Sequence, residues 1–574
     1  MRKLIGKGWR IARHPITLLL ICTAGILFAV EAENVWSTVP FALSIAAVMA
    51  GLLFLATARA AFSIYAGWLI VALFTAISAI KYKMKGFSLH FYDAVFFAGD
   101  PETYRFLYQS YLYLLVPVGF ALLAAVAIGI AAYRYDRRSN WSFAWRAGLA
   151  AVLGASPFLT FPADASKNRF FYYMQGRHLT ASFVSLLDIG NLFLPNELER
   201  RLAQLPAQQP MRTGVDCGDG KGWPDIFFVL SESVTDPAIF PQVKDTADFM
   251  QRFAPDAGKP SPMSVETFGG GTWITNLSLF VGLSATDFGW RSPYLTLTLQ
   301  DRIGDSLPEI LSKCGYRTAA LLPLDYTFVN EGPFLKSIGF ETVLDIDDIE
   351  APNYHLRDDF YYRAAEKFIA QHRATDGRPL FLEIQTMFPH SPYEDRMEPQ
   401  LTADGEPFAA DPGVAEYLRR IAIARGDFQT FLDRRKAEPT ARGSVVFEFG
   451  DHQAFVTKRF VDEIAGVDAM SKPNSLAYRT YFTTTAFNYT MPGDFPSAMP
   501  LDIGFVGASF LEAAGLPMSP TMRDLIDLRD RCEGRFHACS DRQAVDRHLR
   551  ARVDAGLLKI LPPAEAEPVV ASRR

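Results

Sequence analysis

Two hydrophobic patterns divide this chain. Over the first 165 residues, long apolar runs with almost no charge cover residues 16–31, 40–56, 61–80, 111–132 and 143–161. Each is about long enough to cross a hydrocarbon core of roughly 30 Å, so the pattern predicts five membrane spans. The first run follows Arg2, Lys3, Lys7, Arg10 and Arg13, as in a signal peptide. No small-residue cleavage site follows it, and further spans come directly after, so it reads as a span.

Beyond the last span the pattern changes twice. Residues 167–205 mix aromatics, leucines and charges, and 170–173 with 183–193 read as an amphipathic segment lying along the membrane surface. Residues 204–211, with two prolines and several glutamines, read as a joint. From Asp225 onward, short β-branched or aromatic runs (226–230, 318–322, 380–384 and 444–449) alternate with helical stretches such as 301–313, 358–371 and 414–434. Apolar strands covered by helices on both faces give this signature. The expected fold is thus a five-helix transmembrane anchor plus an extracytoplasmic α/β domain. The expected divisions are 1–164 for the transmembrane domain, 165–215 for the membrane-surface linker and 216–574 for the catalytic domain.

Charge sets orientation. The basic N-terminus, Arg59, and Arg134, Arg137, Arg138 and Arg146 fall on one side, while the acidic loop Glu31-Ala32-Glu33 falls on the other. By the positive-inside rule, an odd number of spans places everything after about Asp164 outside the cytoplasm. Lys81, Lys83 and Lys85 run against that bias and read as interfacial residues contacting lipid phosphates. A formal net charge of -5, with no basic stripe in the soluble part, argues against a nucleic-acid partner. Four cysteines, Cys217, Cys314, Cys532 and Cys539, lie beyond the spans, an even number that suits an oxidising compartment. Cys532 and Cys539 flank a short loop and form the first candidate disulfide, leaving Cys217 with Cys314. Their spacing lacks the paired C-x-x-C of a zinc cluster.

Four separated segments carry the candidate chemistry: Ser231-Glu232-Ser233, Gly269-Gly270-Gly271-Thr272, Phe388-Pro389-His390 and Gly450-Asp451-His452. Taken singly, the glycine triplet could be an ordinary loop and His390 a structural histidine. Together they share a topological position, because Glu232, His390, Asp451 and His452 each follow a strand, and open α/β sheets gather chemistry at strand carboxyl ends. The glycines would let backbone approach a phosphate, and the helix predicted over 272–283 would point its N-terminus at the anion. A threonine hydroxyl needs activation to act as a nucleophile. A divalent ion held by Glu232, Asp451 and His452 would provide it, with His390 donating to the phosphate or protonating the leaving alcohol.

These motifs resemble the alkaline phosphatase/sulfatase superfamily, and within it the membrane branch containing lipoteichoic acid synthase and the phosphoglycerol transferases that decorate periplasmic glucans. The resemblance implies an alkaline phosphatase-like mixed β-sheet sandwiched by helices. It implies that Glu232, Thr272, Asp451 and His452 bind a divalent metal, most often Mn²⁺, with Zn²⁺ or Mg²⁺ as alternatives. It further implies that Thr272 is transiently esterified and that His390 of His390-Ser391-Pro392-Tyr393 contacts the transferred group. Leu501-Asp502-Ile503 and Ala513-Ala514-Gly515-Leu516-Pro517 resemble the superfamily's closing segment. The implied donor is a membrane phospholipid such as phosphatidylglycerol, the implied acceptor a periplasmic glucan or other surface glycan, and the implied location the bacterial inner membrane with a periplasmic catalytic domain. Phosphoethanolamine transfer to lipid A or glycan is the rival enzyme reading, and a non-catalytic membrane scaffold the rival outside enzymes. There are two departures. No C/S-x-P-x-R sequence occupies the nucleophile position, which disfavours sulfate ester hydrolysis. Where lipoteichoic acid synthases carry W-N-R, this chain has Phe328-Val329-Asn330-Glu331, which favours single transfer over glycerol-phosphate polymerisation.

Overall fold

The computed structural model describes residues 14–560, except 34, 35, 86, 100, 164, 166–172, 174, 175, 187–189, 191–194, 207–210, 219, 244, 245, 439–441, 467, 468, 473 and 497–499. It forms two compact units, Met1–Leu192 and Phe193–Arg574. Most of the aromatic surface segment, the central residues of the joint and the basic N-terminus lie outside the described residues.

The first unit is helical. Its long helices are α1 (Pro15–Glu33), α2 (Val39–Thr57), α3 (Ala60–Lys85), α4 (Pro101–Tyr135) and α5 (Phe143–Leu159). Among the described residues, four stretches are long and apolar enough to cross a membrane: Pro15–Glu33, Trp36–Thr57, Ala60–Lys83 and Leu115–Tyr135. The fifth expected span forms an apolar helix of 17 residues, at the short end of the spanning range. Small residues set the packing. A methyl group on Gly25 would meet the Trp68 ring at 2.4 Å, and one on Gly67 would meet Ala50 at 3.0 Å.

Two polar expectations change in this unit. Lys81 forms an ion pair with Asp93 at 2.6 Å and donates to the Ser88 carbonyl at 3.2 Å, so its ammonium has protein partners in place of lipid phosphates. Glu33 is buried in the last turn of α1 and accepts the Leu179 and Thr180 N–H groups at 2.9 and 3.0 Å. It lies within α1, not in the loop after it, and satisfies the unpaired donors at the start of a short helix.

The second unit is built on one mixed sheet. Its strands are β1 (Asp225–Ser231), β2 (Ser261–Ser264), β3 (Arg317–Leu321), β4 (Thr342–Leu344), β5 (Leu380–Gln385), β6 (Ser444–Gly450), β7 (Arg479–Phe487) and β8 (Leu501–Asp502). They lie in the order β4-β3-β5-β1-β6-β7-β2-β8. Only β7 runs antiparallel to its neighbours, β6 and β2. The central strand β1 is buried at all seven positions, as its uninterrupted apolar sequence requires.

Successive β1 residues show how both faces are covered. Phe228 packs on Phe280 and Phe510 of the helices α7 (Thr272–Val281) and α11 (Ile503–Ala513), at 6.2 and 4.8 Å between ring centroids. Phe227 points to the other face and meets Phe431 of α10 (Pro412–Ala437) at 6.4 Å. There Phe431 stacks on Tyr362 of α9 (Asp358–Thr375) at 4.8 Å. Burying each such ring stabilises the fold by roughly 1.5–3 kcal/mol.

The helix expected over 301–313 forms only as α8 (Leu307–Lys313). Asp301 and Asp305 take left-handed φ values of 58° and 62°, and Ser306 then caps the helix by accepting the Glu309 N–H at 3.2 Å. Both candidate disulfides form, Cys217–Cys314 and Cys532–Cys539. Upstream, α6 (Glu197–Gln204) packs on α12 (Arg542–Asp554), with Arg201 paired to Asp546 at 3.1 Å.

Candidate active site

Strand register brings two of the four motifs together. In the β1–β6 ladder Ser231 lies opposite Gly450, so the next residue on each strand, Glu232 and Asp451, leaves the sheet at the same point. Gly450 is required there, because a Cβ would stand 1.9 Å from the Val234 carbonyl oxygen where the chain turns back. Ser233 makes that turn with φ of 59°, and its N–H donates to Asp451 Oδ1 at 2.8 Å. The Tyr417 hydroxyl of α10 donates to the Ser233 carbonyl at 2.6 Å.

The glycine triplet brings in the third motif. Gly269, Gly270 and Gly271 have φ of 72°, 150° and 100°, a left-handed path that side chains resist. Gly271 caps α7, whose first residue is Thr272. The Thr272 hydroxyl donates to Glu232 Oε2 at 2.9 Å, while Ser233 Oγ donates to Oε1 at 2.9 Å. One turn on, Thr275 Oγ1 donates to the Asp451 carbonyl at 2.8 Å and ties the helix to the G-D-H segment.

Glu232, Asp451 and His452 are all buried, and one ligand atom from each lies within 4.8 Å of the others. His452 Nδ1 lies 3.1 Å from the Gln453 carbonyl oxygen, which only accepts, so Nδ1 donates and the ring is held with Nε2 toward the carboxyls. That Nε2 faces Glu232 Oε1 at 3.4 Å and Asp451 Oδ2 at 3.2 Å. Asp451 Oδ2 accepts no hydrogen bond among the described residues. Burial opposes charge on Glu232, yet the neighbouring His452 and His390 and the hydroxyls of Ser233 and Thr272 hold its carboxyl below the usual range. Burial, and then the Glu232 charge, push Asp451 well above that range. Two crowded carboxyls, an oriented imidazole and a hydroxyl make a mixed oxygen and nitrogen donor set. It fits a divalent metal ion.

His390, from the fourth motif, reaches the same centre electrostatically, since its charge is among those acting on Glu232. Its Nδ1 donates to the Ser391 carbonyl at 2.6 Å. Glu232, Asp451 and His452 thus meet past the carboxyl ends of β1 and β6, Thr272 joins them from the start of α7, and His390 follows β5.

Three supporting residues carry no local sequence signal. Asp358, at the start of α9, accepts the Met387 and Phe388 N–H groups at 3.1 and 2.9 Å. Arg420 of α10 donates to the His390, Pro392 and Asp395 carbonyls at 2.8, 2.9 and 2.9 Å. Beneath the site, Glu448 accepts the Ser231 hydroxyl at 2.9 Å and pairs with Arg425.

The sequence that carries these residues matches a known family. Residues 224–486 match the sulfatase family model. This domain is a member of the sulfatase/alkaline phosphatase superfamily. The sulfatase-like domain lies within chains of modest similarity. An uncharacterized protein of Haemophilus influenzae is 26% identical over 51% of this chain and 54% of its own. A putative cyclic β-1,2-glucan modification protein of Rhizobium meliloti is 27% identical over 40% of this chain and 36% of its own. This chain thus spans about half the length, or less, of these curated relatives. Among solved structures, the lipooligosaccharide phosphoethanolamine transferase of Neisseria meningitidis, an integral membrane protein, aligns at 13% identity and a TM-score of 0.49. That alignment covers 86% of this chain and 95% of the other. A phosphoglycerol transferase of Streptococcus pyogenes, in complex with sn-glycerol-1-phosphate, aligns at 15% identity and a TM-score of 0.46, covering 63% and 89%.

Proposed function

We propose that this chain is a metal-dependent membrane phosphotransferase that moves a phosphoglycerol-type head group from a phospholipid, such as phosphatidylglycerol, to a periplasmic glucan or other surface glycan. The observation that carries the reading is the Thr272 hydroxyl, hydrogen-bonded at 2.9 Å to Glu232 within the Glu232, Asp451 and His452 cluster. The relative from Rhizobium meliloti, a putative cyclic β-1,2-glucan modification protein, supports a glucan acceptor. In this reading five spans anchor residues 1–164 in the inner membrane, 165–215 lie along its surface and 216–574 form the periplasmic catalytic domain. Anchoring raises the effective concentration of a lipid donor at the site.

Glu232, Asp451, His452 and the Thr272 hydroxyl would hold the ion, Mn²⁺ above all, which when bound supplies Lewis acidity and neutralises phosphoryl charge. Glu232 takes the Thr272 hydroxyl's hydrogen bond and orients its oxygen toward phosphorus. Thr272 Oγ1 attacks as its proton passes to Glu232, the bond from phosphorus to the diacylglycerol oxygen breaks, and diacylglycerol leaves with a proton from His390. In the second half the acceptor hydroxyl gives its proton to His390 and attacks phosphorus, and the Thr272 oxygen leaves with the proton that Glu232 returns. The N–H groups at the start of α7 stabilise the phosphoryl oxygens throughout.

A second reading is phosphoethanolamine transfer. Glu331, which stands where the resemblance expects a glycerol-phosphate-gripping arginine, accepts hydrogen bonds from Asn276 and Gln385, each at 3.0 Å. A carboxylate there suits an ammonium head group. Reconstituted protein given head-group-labelled phosphatidylglycerol or phosphatidylethanolamine separates the two readings. Label transfer from the glycerol lipid with diacylglycerol release is the expected result, and release from neither lipid refutes both.

A further inference from the structure

His390 has a second imidazole beside it. His355, in the loop ahead of α9, lies with its ring centroid 6.5 Å from that of His390. Its neighbour Tyr354 packs 4.1 Å from the His355 ring and 6.3 Å, edge-on, from the His390 ring. The two histidine loops are fixed to one another. Asp358, three residues after His355, accepts the two N–H groups that precede Pro389-His390. Tyr361 donates to the Tyr354 carbonyl at 2.7 Å, and Arg357 pairs with Asp427.

The His390 charge acts on both Glu232 and His355, so each lies within electrostatic reach of His390. His355 is half-buried, whereas Glu232, Asp451 and His452 are buried, so of these groups His355 is the one solvent reaches. Burial, with the His390 and Arg420 charges beside it, presses the His355 ring down to about 4. At neutral pH it is therefore an uncharged imidazole with one donor and one acceptor nitrogen. A sugar hydroxyl offers the same pair of functions.

We propose that His355 binds the acceptor, hydrogen-bonding a sugar hydroxyl next to the one that attacks phosphorus, and so favours glycan over water in the second half-reaction. This rests on the phosphotransfer reading above.

The test uses the full-length protein in phosphatidylglycerol vesicles with Mn²⁺ and sophorose, a β-1,2-linked glucose disaccharide, as the probe acceptor. The measured quantity is the ratio of phosphoglyceryl-sophorose to free glycerol phosphate, which is independent of how much protein is active. His355→Ala is expected to lower that ratio about tenfold, the effect of one lost hydrogen bond of about 1.4 kcal/mol. His355→Gln, which keeps a donor and an acceptor, is expected to recover most of it and guards against misfolding of the alanine variant. A wild-type ratio in His355→Ala, or an equal fall in both variants, overturns the assignment. Absence of diacylglycerol release by the wild-type protein removes the phosphotransfer reading itself, and this inference with it.

Discussion

Thr272 and Glu232 are joined by a 2.9 Å hydrogen bond across the gap between α7 and the end of β1. The candidate nucleophile and a candidate metal ligand are thus connected within the protein's own framework. Thr272→Ala removes the attacking oxygen while sacrificing about 1 kcal/mol of hydrogen bonding. Diacylglycerol release is expected to fall on the order of 10³-fold or more, with the thermal midpoint close to wild type. Thr272→Ser keeps the oxygen and is expected to retain measurable turnover. Equal activity in the alanine variant would remove Thr272 from the chemistry.

The donor set around Asp451 gives a second prediction. An ion that binds the folded protein and not the unfolded one stabilises it by RT ln(1 + [L]/Kd), about 4 kcal/mol at a thousand times Kd. Mn²⁺ should raise the melting temperature of the wild-type protein, and EDTA should reverse that rise and stop turnover. Glu232→Gln and His452→Ala each remove a donor and are expected to abolish most of the Mn²⁺ shift. Identical melting with and without Mn²⁺ in the wild-type protein would count against a metal centre.

Asp358 makes stability depend on pH. Burial, reinforced by the Asp427 charge, pushes its carboxyl up to about 7, although the Phe388 and Met387 N–H groups partly offset this. The folded state therefore holds a proton that the unfolded chain releases near its ordinary value of 3.8. This contribution is full below the unfolded value and is lost as pH rises through the folded one, by about 4 kcal/mol at most. Asp358→Asn keeps an oxygen acceptor for both N–H groups and cannot ionise. The difference in stability between variant and wild type should shift in favour of the variant from pH 4 to pH 7 and then level off. A constant difference across that range would show that Asp358 does not take up the proton.

How much of this site could be read in the sequence follows from which residues depend on local order. Glu232, Asp451 and His452 follow strands β1 and β6, whose apolar runs mark them plainly, and a ladder that pairs Ser231 with Gly450 brings them together. Thr272 was legible because three left-handed glycines precede it and an apolar helix follows. The sheet's outer half was not. β2 is short and only half buried, and β8 has two residues, so neither carries a period from which a strand could be inferred. Asp358 and Arg420 were equally hidden, because their partners are backbone groups about 30 residues away in the chain. No side-chain pattern marks such partners. Lys81 misled for a related reason: its counter-ion, Asp93, lies beyond the end of its helix and is reached only by a turn of the chain.

The two disulfides should differ in weight. Loop entropy in the unfolded chain grows with the residues enclosed, and Cys217–Cys314 spans 97 while Cys532–Cys539 spans 7. The corresponding stabilisations are about 4.7 and about 2.4 kcal/mol. Replacing Cys217 and Cys314 with serine should therefore lower the thermal midpoint more than replacing Cys532 and Cys539. The opposite order would mean that the shorter bridge acts chiefly through native packing, by holding Phe536 against Phe505 of α11 at 4.9 Å between ring centroids.

Arg420 gives the sharpest separation of positioning from binding. It is fully buried, and its guanidinium holds three carbonyls of the His390–Asp395 loop while its Nε donates to Glu416 at 2.7 Å. Glu416 does not depend on it, because Arg419 pairs with the same carboxylate at 2.7 Å. Loss of Arg420 therefore leaves unpaired carbonyls, not an unpaired acid. A lysine supplies the charge but not the planar fork, so Arg420→Lys should leave the His390 loop incompletely held. A displacement of about 1 Å at a reacting group costs on the order of 10² in rate. Turnover of Arg420→Lys is accordingly expected to fall 10- to 100-fold. The Mn²⁺-induced melting shift should persist, because the metal-ligand cluster lies on other strands. Parallel loss of turnover and of the metal shift would instead mean that α10 supports the whole strand-end cluster, Tyr417 and Ser233 included. Full turnover in Arg420→Lys would free His390 from any dependence on this arginine.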